Sequence, residues 1–395
     1  MPYGRSEIPV RVPEERLIDI FKPEDANPLP DPIAESTKLL RSNETFLRKA
    51  RDSSRVCVVL GSCGTERLTT DLTRAVLQCV NNAQSSATIL CTEESAEPDG
   101  NSLDGKRVSR HTAQSETTEC NPVKGGFKPQ LNSEFVKADL RIVIGELRPH
   151  QFLRYAGLCD LVFPCLASEP SKRAHLCDGP SSTLDDLHTE RLEIAKSFDN
   201  LFMLGLTLDA ELRPTTVVFD EIERCLGALE PIVNERYSKQ ITKRADILVM
   251  SVGGTPFDAT LARAVETFPG GIDVVKRDGV LVVAAECGEG HGGTQFYEWS
   301  AEHKEPRYLE SRLRHRFSYD GFKASFLERI LQTHRVYLVS TIPDHFVENV
   351  FGMRPAVTVN AALQTAQRAH GSDSTISVVP NASRVTPIQP ETKTQ

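Results

Sequence analysis

No stretch of this 395-residue chain approaches the ~20 consecutive apolar residues that a membrane span needs; its longest apolar runs, such as 280–285, are only strand-sized. The opening residues, Met1-Pro2-Tyr3-Gly4-Arg5, lead directly into charged sequence without the apolar centre of a secretory signal, so a cytoplasmic location is expected. Excess positive charge is missing too. With 46 Lys and Arg against 54 Asp and Glu, the formal charge is −8, which gives no general electrostatic reason to bind nucleic acid or an anionic membrane. The basic stretch 312–316 alternates with other residues and reads as a solvated helix face. No C-x-x-C pair occurs among Cys57, Cys63, Cys79, Cys91, Cys120, Cys159, Cys165, Cys177, Cys225 and Cys287. Several lie in apolar runs, as in Val56-Cys57-Val58-Val59-Leu60. They read as free thiols packed as small hydrophobes in a reducing compartment, rather than a disulfide framework or a zinc site. The dinucleotide fingerprint G-x-G-x-x-G is absent from the first βα loop, which argues against a nicotinamide-dependent dehydrogenase.

What is present is a pattern of buried strands alternating with helices. The length exceeds that of one usual hydrophobic core, so two domains are expected. Residues 1–54, rich in proline and charge, read as an arm with one short helix near 33–41. Residues 55–60 form an apolar β-run, followed by a glycine-bearing loop and then by Leu72, Val76, Leu77 and Val80 at helical spacing. Residues 87–91 read as the next strand, and this β-loop-α-β order implies parallel strands. Residues 92–132 carry few large apolar side chains and read as a surface excursion, partly disordered. Strands are expected again at 140–144, 201–208 and 216–219, with helices over 183–198 and 221–233. A second unit begins near 244, with strands at 245–250, 279–285, 335–340 and 375–379 and helices near 299–333 and 359–369. The fold class is therefore α/β: two domains of mainly parallel sheet flanked by helices, an N-terminal domain over 1–240, a C-terminal domain over 241–383, and a disordered tail over 384–395.

In open α/β sheets ligands bind beyond the carboxyl ends of the strands. The loops 61–70, 145–160, 251–258 and 286–293 occupy such ends, and they would line one active-site cleft if the two domains face each other. Loop 61–70 has small residues and Arg67; its glycines could expose backbone N–H groups to an anion, or simply make a tight turn beside a surface arginine. His150 follows a strand directly and could serve as acid or base near neutral pH, although a lone loop histidine is more often structural. His175, 25 residues on, could bring a second ring to the same place. Gly253-Gly254-Thr255-Pro256 reads as a turn with proline at a helix start, and Asp258 as a group satisfying first-turn N–H donors. His291 lies in a loop with four glycines between 288 and 293.

Taken together, the segments 56–67, 144–152 with Pro149-His150, 163–175, 245–258 with Gly253-Gly254-x-Pro256-x-Asp258, and 283–293 resemble the nickel-pincer nucleotide-dependent lactate racemase family. The resemblance implies two α/β domains and the interconversion of D- and L-2-hydroxy acids. It implies a pyridinium bis-thiocarboxylic acid mononucleotide holding nickel through two sulfurs and a ring carbon, usually tethered by a lysine and completed by a histidine ligand. One histidine takes the substrate hydroxyl proton, a second serves the other stereoisomer, and an arginine pairs with the substrate carboxylate. Carried over, His150 matches the acid/base histidine, His175 the nickel ligand, and Arg67 the carboxylate-pairing arginine. Gly253 and Gly254 fall on the cofactor side. Asp160 stands at the tether-lysine position and cannot form that amide. Gly64 stands where the family has aspartate, and Cys91-Thr92-Glu93 where the second acid/base histidine belongs. His111 could substitute only if the excursion folds back. Arg263 and Glu266 replace a glutamine and a lysine.

The expected partner is a small 2-hydroxy acid, with a homodimer as the expected assembly. The expected activity is a racemase or epimerase. The alternative is an inactive relative that binds a hydroxy acid or nucleotide, favoured by Asp160 and the missing histidine.

Overall fold

Strands Arg55–Leu60 and Leu140–Glu146 are buried along almost every residue, the signature of central parallel strands covered on both faces. The structure, a computed structural model, describes residues 1–80, 86–92, 103, 106–123, 126–150, 153–176, 184–302, 305–371 and 373–388. The chain divides into two compact units: a middle unit, Asp25–Arg148 with Leu153–Arg236, and a terminal unit, Met1–Glu24 with Pro149–Phe152 and Tyr237–Gln395.

The middle unit holds a six-stranded sheet in the order Pro214–Glu221, Leu201–Leu208, Leu140–Glu146, Arg55–Leu60, Ser86–Cys91, Arg107–Arg110. All neighbours are parallel except the hairpin of the first two. Helix Glu66–Val80 buries Leu72, Val76 and Val80 against it. The single helix expected near 33–41 is two helices, Pro32–Ser42 and Glu44–Asp52. Asn43 ends the first and caps the second, its Oδ1 accepting from Phe46 N at 2.9 Å. The ring of Phe46 meets Phe202 and Phe219 edge-on at 5.3 and 4.8 Å and closes this core.

The excursion is more ordered than its composition predicts. Arg107–Arg110 adds a parallel edge strand to Ser86–Cys91, and Thr117–Glu119 pairs antiparallel with Gln130–Asn132. Few apolar residues suffice because an edge strand buries little and gains its hydrogen bonds from one neighbour. Residues 93–102, within the expected excursion, lie outside the described residues, as does Cys177.

The terminal unit holds a second six-stranded sheet, wholly parallel, in the order Arg354–Pro355, Arg335–Val339, Val275–Ala284, Ala245–Ser251, Ile376–Val379, Leu17–Ile20. Its last strand comes from the N-terminal arm. The tail expected from 384 is structured at its start: Thr386–Ile388 pairs in parallel with Ser238–Gln240, and 389–395 lie outside the described residues. Among the described residues no helix is long and apolar enough to cross a membrane.

Candidate active site

In the middle unit the chemistry converges on His175. It lies on helix Glu169–Leu176, which is pinned to the neighbouring hairpin by Gln130 N donating to Ser171 Oγ at 2.9 Å. The imidazole is wholly buried, with its Nδ1 2.5 Å from Glu190 Oε2. Glu190 comes from helix Leu184–Lys196. The next residue, Arg191, is fully buried and anchors that helix by donating to the carbonyls of Leu153 and of Tyr155, the latter at 3.0 Å. Phe163 meets the His175 ring edge-on at 4.9 Å. The other ring nitrogen, Nε2, is buried without a hydrogen-bond partner among the described residues. A carboxylate on Nδ1 places the proton there and leaves Nε2 with its lone pair, the arrangement that second-shell acids give to metal-bound imidazoles. Glu190 was missed in the sequence, where nothing local ties a glutamate 15 positions on to this histidine.

Asp160 lies in the short helix Cys159–Val162, which ends at Phe163. Its Oδ1 accepts from Gly157 N at 2.5 Å and Leu158 N at 2.9 Å. The carboxylate holds its own turn. Gly157 has φ +104°, and a Cβ there would fall 1.5 Å from the carbonyl oxygen of Glu146, so only glycine makes this turn. Lys172, one helical turn before His175, is buried and pairs with Glu169 at 3.1 Å.

Arg67 has a side chain 94% exposed and, among the described residues, only a long 3.8 Å contact with Asp71. In this structure it is a solvated guanidinium on the first turn of helix Glu66–Val80, which Thr65 caps by accepting from Leu68 N.

His111 does fold back. Its N–H donates to Cys91 O at 2.9 Å, so the ring stands where the second strand ends. Both ring nitrogens are engaged, Nε2 with Ala167 O at 3.3 Å and Nδ1 with the Asn132 amide at 3.1 Å. The carbonyl requires the proton on Nε2, and the amide donates to Nδ1. Burial pushes the imidazole down to about 4, and Lys172 adds to that. It is a neutral core histidine with both ring nitrogens partnered. None of the nine described cysteines forms a disulfide. Burial pushes Cys63, beside the first loop, up to about 12, so that thiol is inert.

In the terminal unit the chain's own N-terminus covers the carboxyl ends of the strands. Thr255 N donates to Gly4 O at 2.9 Å, and Ser251 Oγ to Pro2 O at 2.5 Å. Gly254 has φ +70°, and a Cβ on it would approach Gly4 O to 2.8 Å; Gly253 faces Asn381 and Ser383. Gly254 therefore lies against the backbone of the N-terminal segment, and Gly253 against two side chains. Asp258 was expected to serve a helix start. Instead its Oδ2 accepts from Gly4 N at 2.7 Å and Glu286 N at 3.1 Å, tying the first strand-end loop to the second. Pro256 does not begin a helix either; the next helix is Leu261–Val265, capped by Thr260. The aromatic ring of Tyr3 sits in this knot, and burial, then Glu286, Cys287 and Asp258, push its hydroxyl up to about 12.

His150 belongs to the same unit and is buried. Its Nε2 lies 3.9 Å from Glu266 Oε2, and Glu266 Oε1 lies 2.7 Å from Lys323 Nζ. Lys323, on helix Tyr319–Leu331, also stands over the Tyr319 ring at 4.6 Å from its centroid. Glu266 was visible in the sequence as a departure from the resemblance; Lys323 was not singled out.

Among the described residues no three His, Cys, Asp or Glu side chains converge as a metal site. A metal held at His175 would therefore bring most of its own donors.

Residues 3–177 match the lactate racemase N-terminal domain and residues 240–386 the lactate racemase C-terminal domain. The chain is 26% identical to the lactate racemase of Thermoanaerobacterium thermosaccharolyticum over 96% of its own length and 97% of that protein's. It is 24% identical to the lactate racemase of Lactiplantibacillus plantarum over 67% of its own length and 66% of the relative's. The structure of the lactate racemase apoprotein from T. thermosaccharolyticum superposes with TM-score 0.84, covering 99% of each chain at 23% identity. A crystal structure of a Thermotoga maritima protein does so with TM-score 0.65 at 12% identity, covering 93% of this chain and 100% of the other. With both domains matched in order along one polypeptide, the chain belongs to the lactate racemase family.

Proposed function

We propose that this protein is a racemase or epimerase of a small 2-hydroxy acid, with His150 as its acid/base and His175 as the protein ligand of a nickel-pincer nucleotide. The observation that carries the reading is the state of His175: buried, fixed through Nδ1 by Glu190, and without a hydrogen-bond partner at Nε2. Leaving a buried polar atom unmet costs about 1–3 kcal/mol, and a metal ion at Nε2 removes that cost. Imidazole suits nickel. A pincer that contributes two sulfurs and a carbon needs one further donor, which matches a site with a single free imidazole nitrogen.

Position 160 does not fit a covalent link. Its carboxylate is spent on Gly157 and Leu158 and cannot form a thioamide, so the nucleotide is held without a bond there. When bound, the nickel-pincer nucleotide supplies the acceptor and donor of hydride at the substrate α-carbon. His150 takes the proton of the substrate hydroxyl and returns it, with burial excluding water from the exchange. Nine described cysteines without a disulfide support a reducing, cytoplasmic setting.

A second reading, a binding protein without turnover, is favoured by two observations: Asp160 at the tether position, and a His111 whose nitrogens are both engaged. Full-length protein made in cells that synthesise the nucleotide separates the two. The racemase reading predicts bound nickel, an ultraviolet–visible cofactor band and interconversion of D- and L-lactate or a related hydroxy acid. Hydroxy acid binding with no stereochemical exchange in deuterated solvent would establish the second.

A further inference from the structure

We infer that Glu266 is a positioning residue for His150, holding the imidazole with its proton on Nε2 and stabilising the imidazolium that forms when the ring takes a substrate proton. The inference rests on the reading of His150 as the acid/base.

Three side chains in the terminal unit form a row: His150, Glu266 and Lys323, with side-chain exposures of 5%, 10% and 9%. Glu266 ends helix Leu261–Val265, and Lys323 reaches it from helix Tyr319–Leu331. The ammonium lies 2.7 Å from Glu266 Oε1, a close ion pair. The other carboxylate oxygen, Oε2, faces His150 Nε2 at 3.9 Å. That separation is ion-pair length and too long for a hydrogen bond.

Two consequences follow from the electrostatics. A carboxylate beside Nε2 favours the tautomer that carries its hydrogen there. When the substrate O–H bond breaks and an N–H bond forms on the imidazole, the ring becomes cationic in a buried place. A fixed negative charge about 4 Å away stabilises that cation far more than water would allow at the same distance. Lys323 serves the pair by fixing Glu266. It neutralises the carboxylate while the ring is neutral, so the buried acid is not left as an unpaired charge. Its ammonium is in turn held over the Tyr319 ring. An acid oriented on a histidine is the same device that aligns general bases in hydrolytic triads, here with a cation behind the acid.

The test uses full-length, cofactor-loaded protein and its variants Glu266→Gln, Glu266→Asp and His150→Gln, with D- and L-lactate as probes. General acid–base groups contribute about 10²–10⁴-fold, and the partner of such a group a part of that. Glu266→Gln is expected to lower kcat roughly 10- to 100-fold with KM little changed, and Glu266→Asp to recover part of the loss. Independently of turnover, ¹⁵N-labelled imidazole spectra of the apoprotein, with His150 assigned by its loss in His150→Gln, are expected to show Nε2 protonated in wild type and the tautomer balance shifted in Glu266→Gln. Unchanged kcat in Glu266→Gln, or identical His150 nitrogen shifts in the two proteins, would overturn the role of Glu266. Absence of turnover in wild type would instead remove the racemase reading, full turnover in His150→Gln would remove His150 as the acid/base, and the spectra still decide the contact itself.

Discussion

His111 makes the stability of the middle unit depend on pH in a way that can be worked through. Its imidazole is pushed from 6.5 to about 4, first by burial and then by Lys172, with the Ala167 carbonyl opposing. Between those two values the unfolded chain binds a proton that the folded chain refuses. Stability therefore rises with pH across this window and falls as pH drops through it. Well above pH 6.5 the ring is neutral in both states and contributes no slope. At pH 5 the unfolded ring is almost fully charged and the folded ring almost fully neutral, which lowers stability by about 2 kcal/mol relative to pH 7. The effect should appear where His111 is anchored, at strand Arg107–Arg110 on the sheet edge. Hydrogen exchange of that strand, corrected for the intrinsic pH dependence, should lose roughly 30-fold in protection between pH 7 and pH 5. In His111→Gln the starting protection is lower, because two buried hydrogen bonds change, but the additional loss on acidification disappears. Equal losses in wild type and variant would show that His111 carries no such shift and that the ring is not held neutral by its surroundings.

Other outcomes follow from single contacts. Glu190→Gln weakens the orientation of His175 and should lower nickel retention roughly 10- to 100-fold, read by dialysis against a chelator followed by metal analysis. Asp160→Ala leaves Gly157 N and Leu158 N without their acceptor and should destabilise the middle unit by about 1–3 kcal/mol in thermal or urea unfolding; the intact mass of denatured, previously nickel-loaded wild type should equal that of the polypeptide alone, and a heavier species would contradict an unlinked cofactor. Gly254→Ala places a Cβ 2.8 Å from Gly4 O at φ +70°, so the N-terminal segment should be displaced or the terminal unit destabilised by about 1–3 kcal/mol, seen as faster proteolysis near residue 4.

The central strands could be read from the sequence because their burial is continuous and local. Val56-Cys57-Val58-Val59-Leu60 and Ile247-Leu248-Val249-Met250 announce covered parallel strands without any partner being known. Edges could not be read this way. Leu17–Ile20 and Arg107–Arg110 are short, half-polar and defined by pairing with distant neighbours, and local periodicity does not encode such pairing. The site divides similarly. His150 and His175 stood out by residue type and position, but the acids that orient them, Glu190 and Glu266, reach them only through the tertiary fold. The loop of Arg67 allowed either an anion contact or a tight turn beside a surface arginine, and the side chain faces solvent. Asp258 looked like a helix cap, yet it binds a backbone N–H 254 positions away.

The measurement that bears most directly on the account is the nickel content of wild type and His175→Ala, both purified at full length from cells that make the nucleotide, with D-to-L-lactate conversion assayed on the same samples. Stoichiometric nickel and conversion in wild type, with both lost in His175→Ala, are the predicted results. Wild type without nickel, or His175→Ala retaining nickel as fully as wild type, would contradict it.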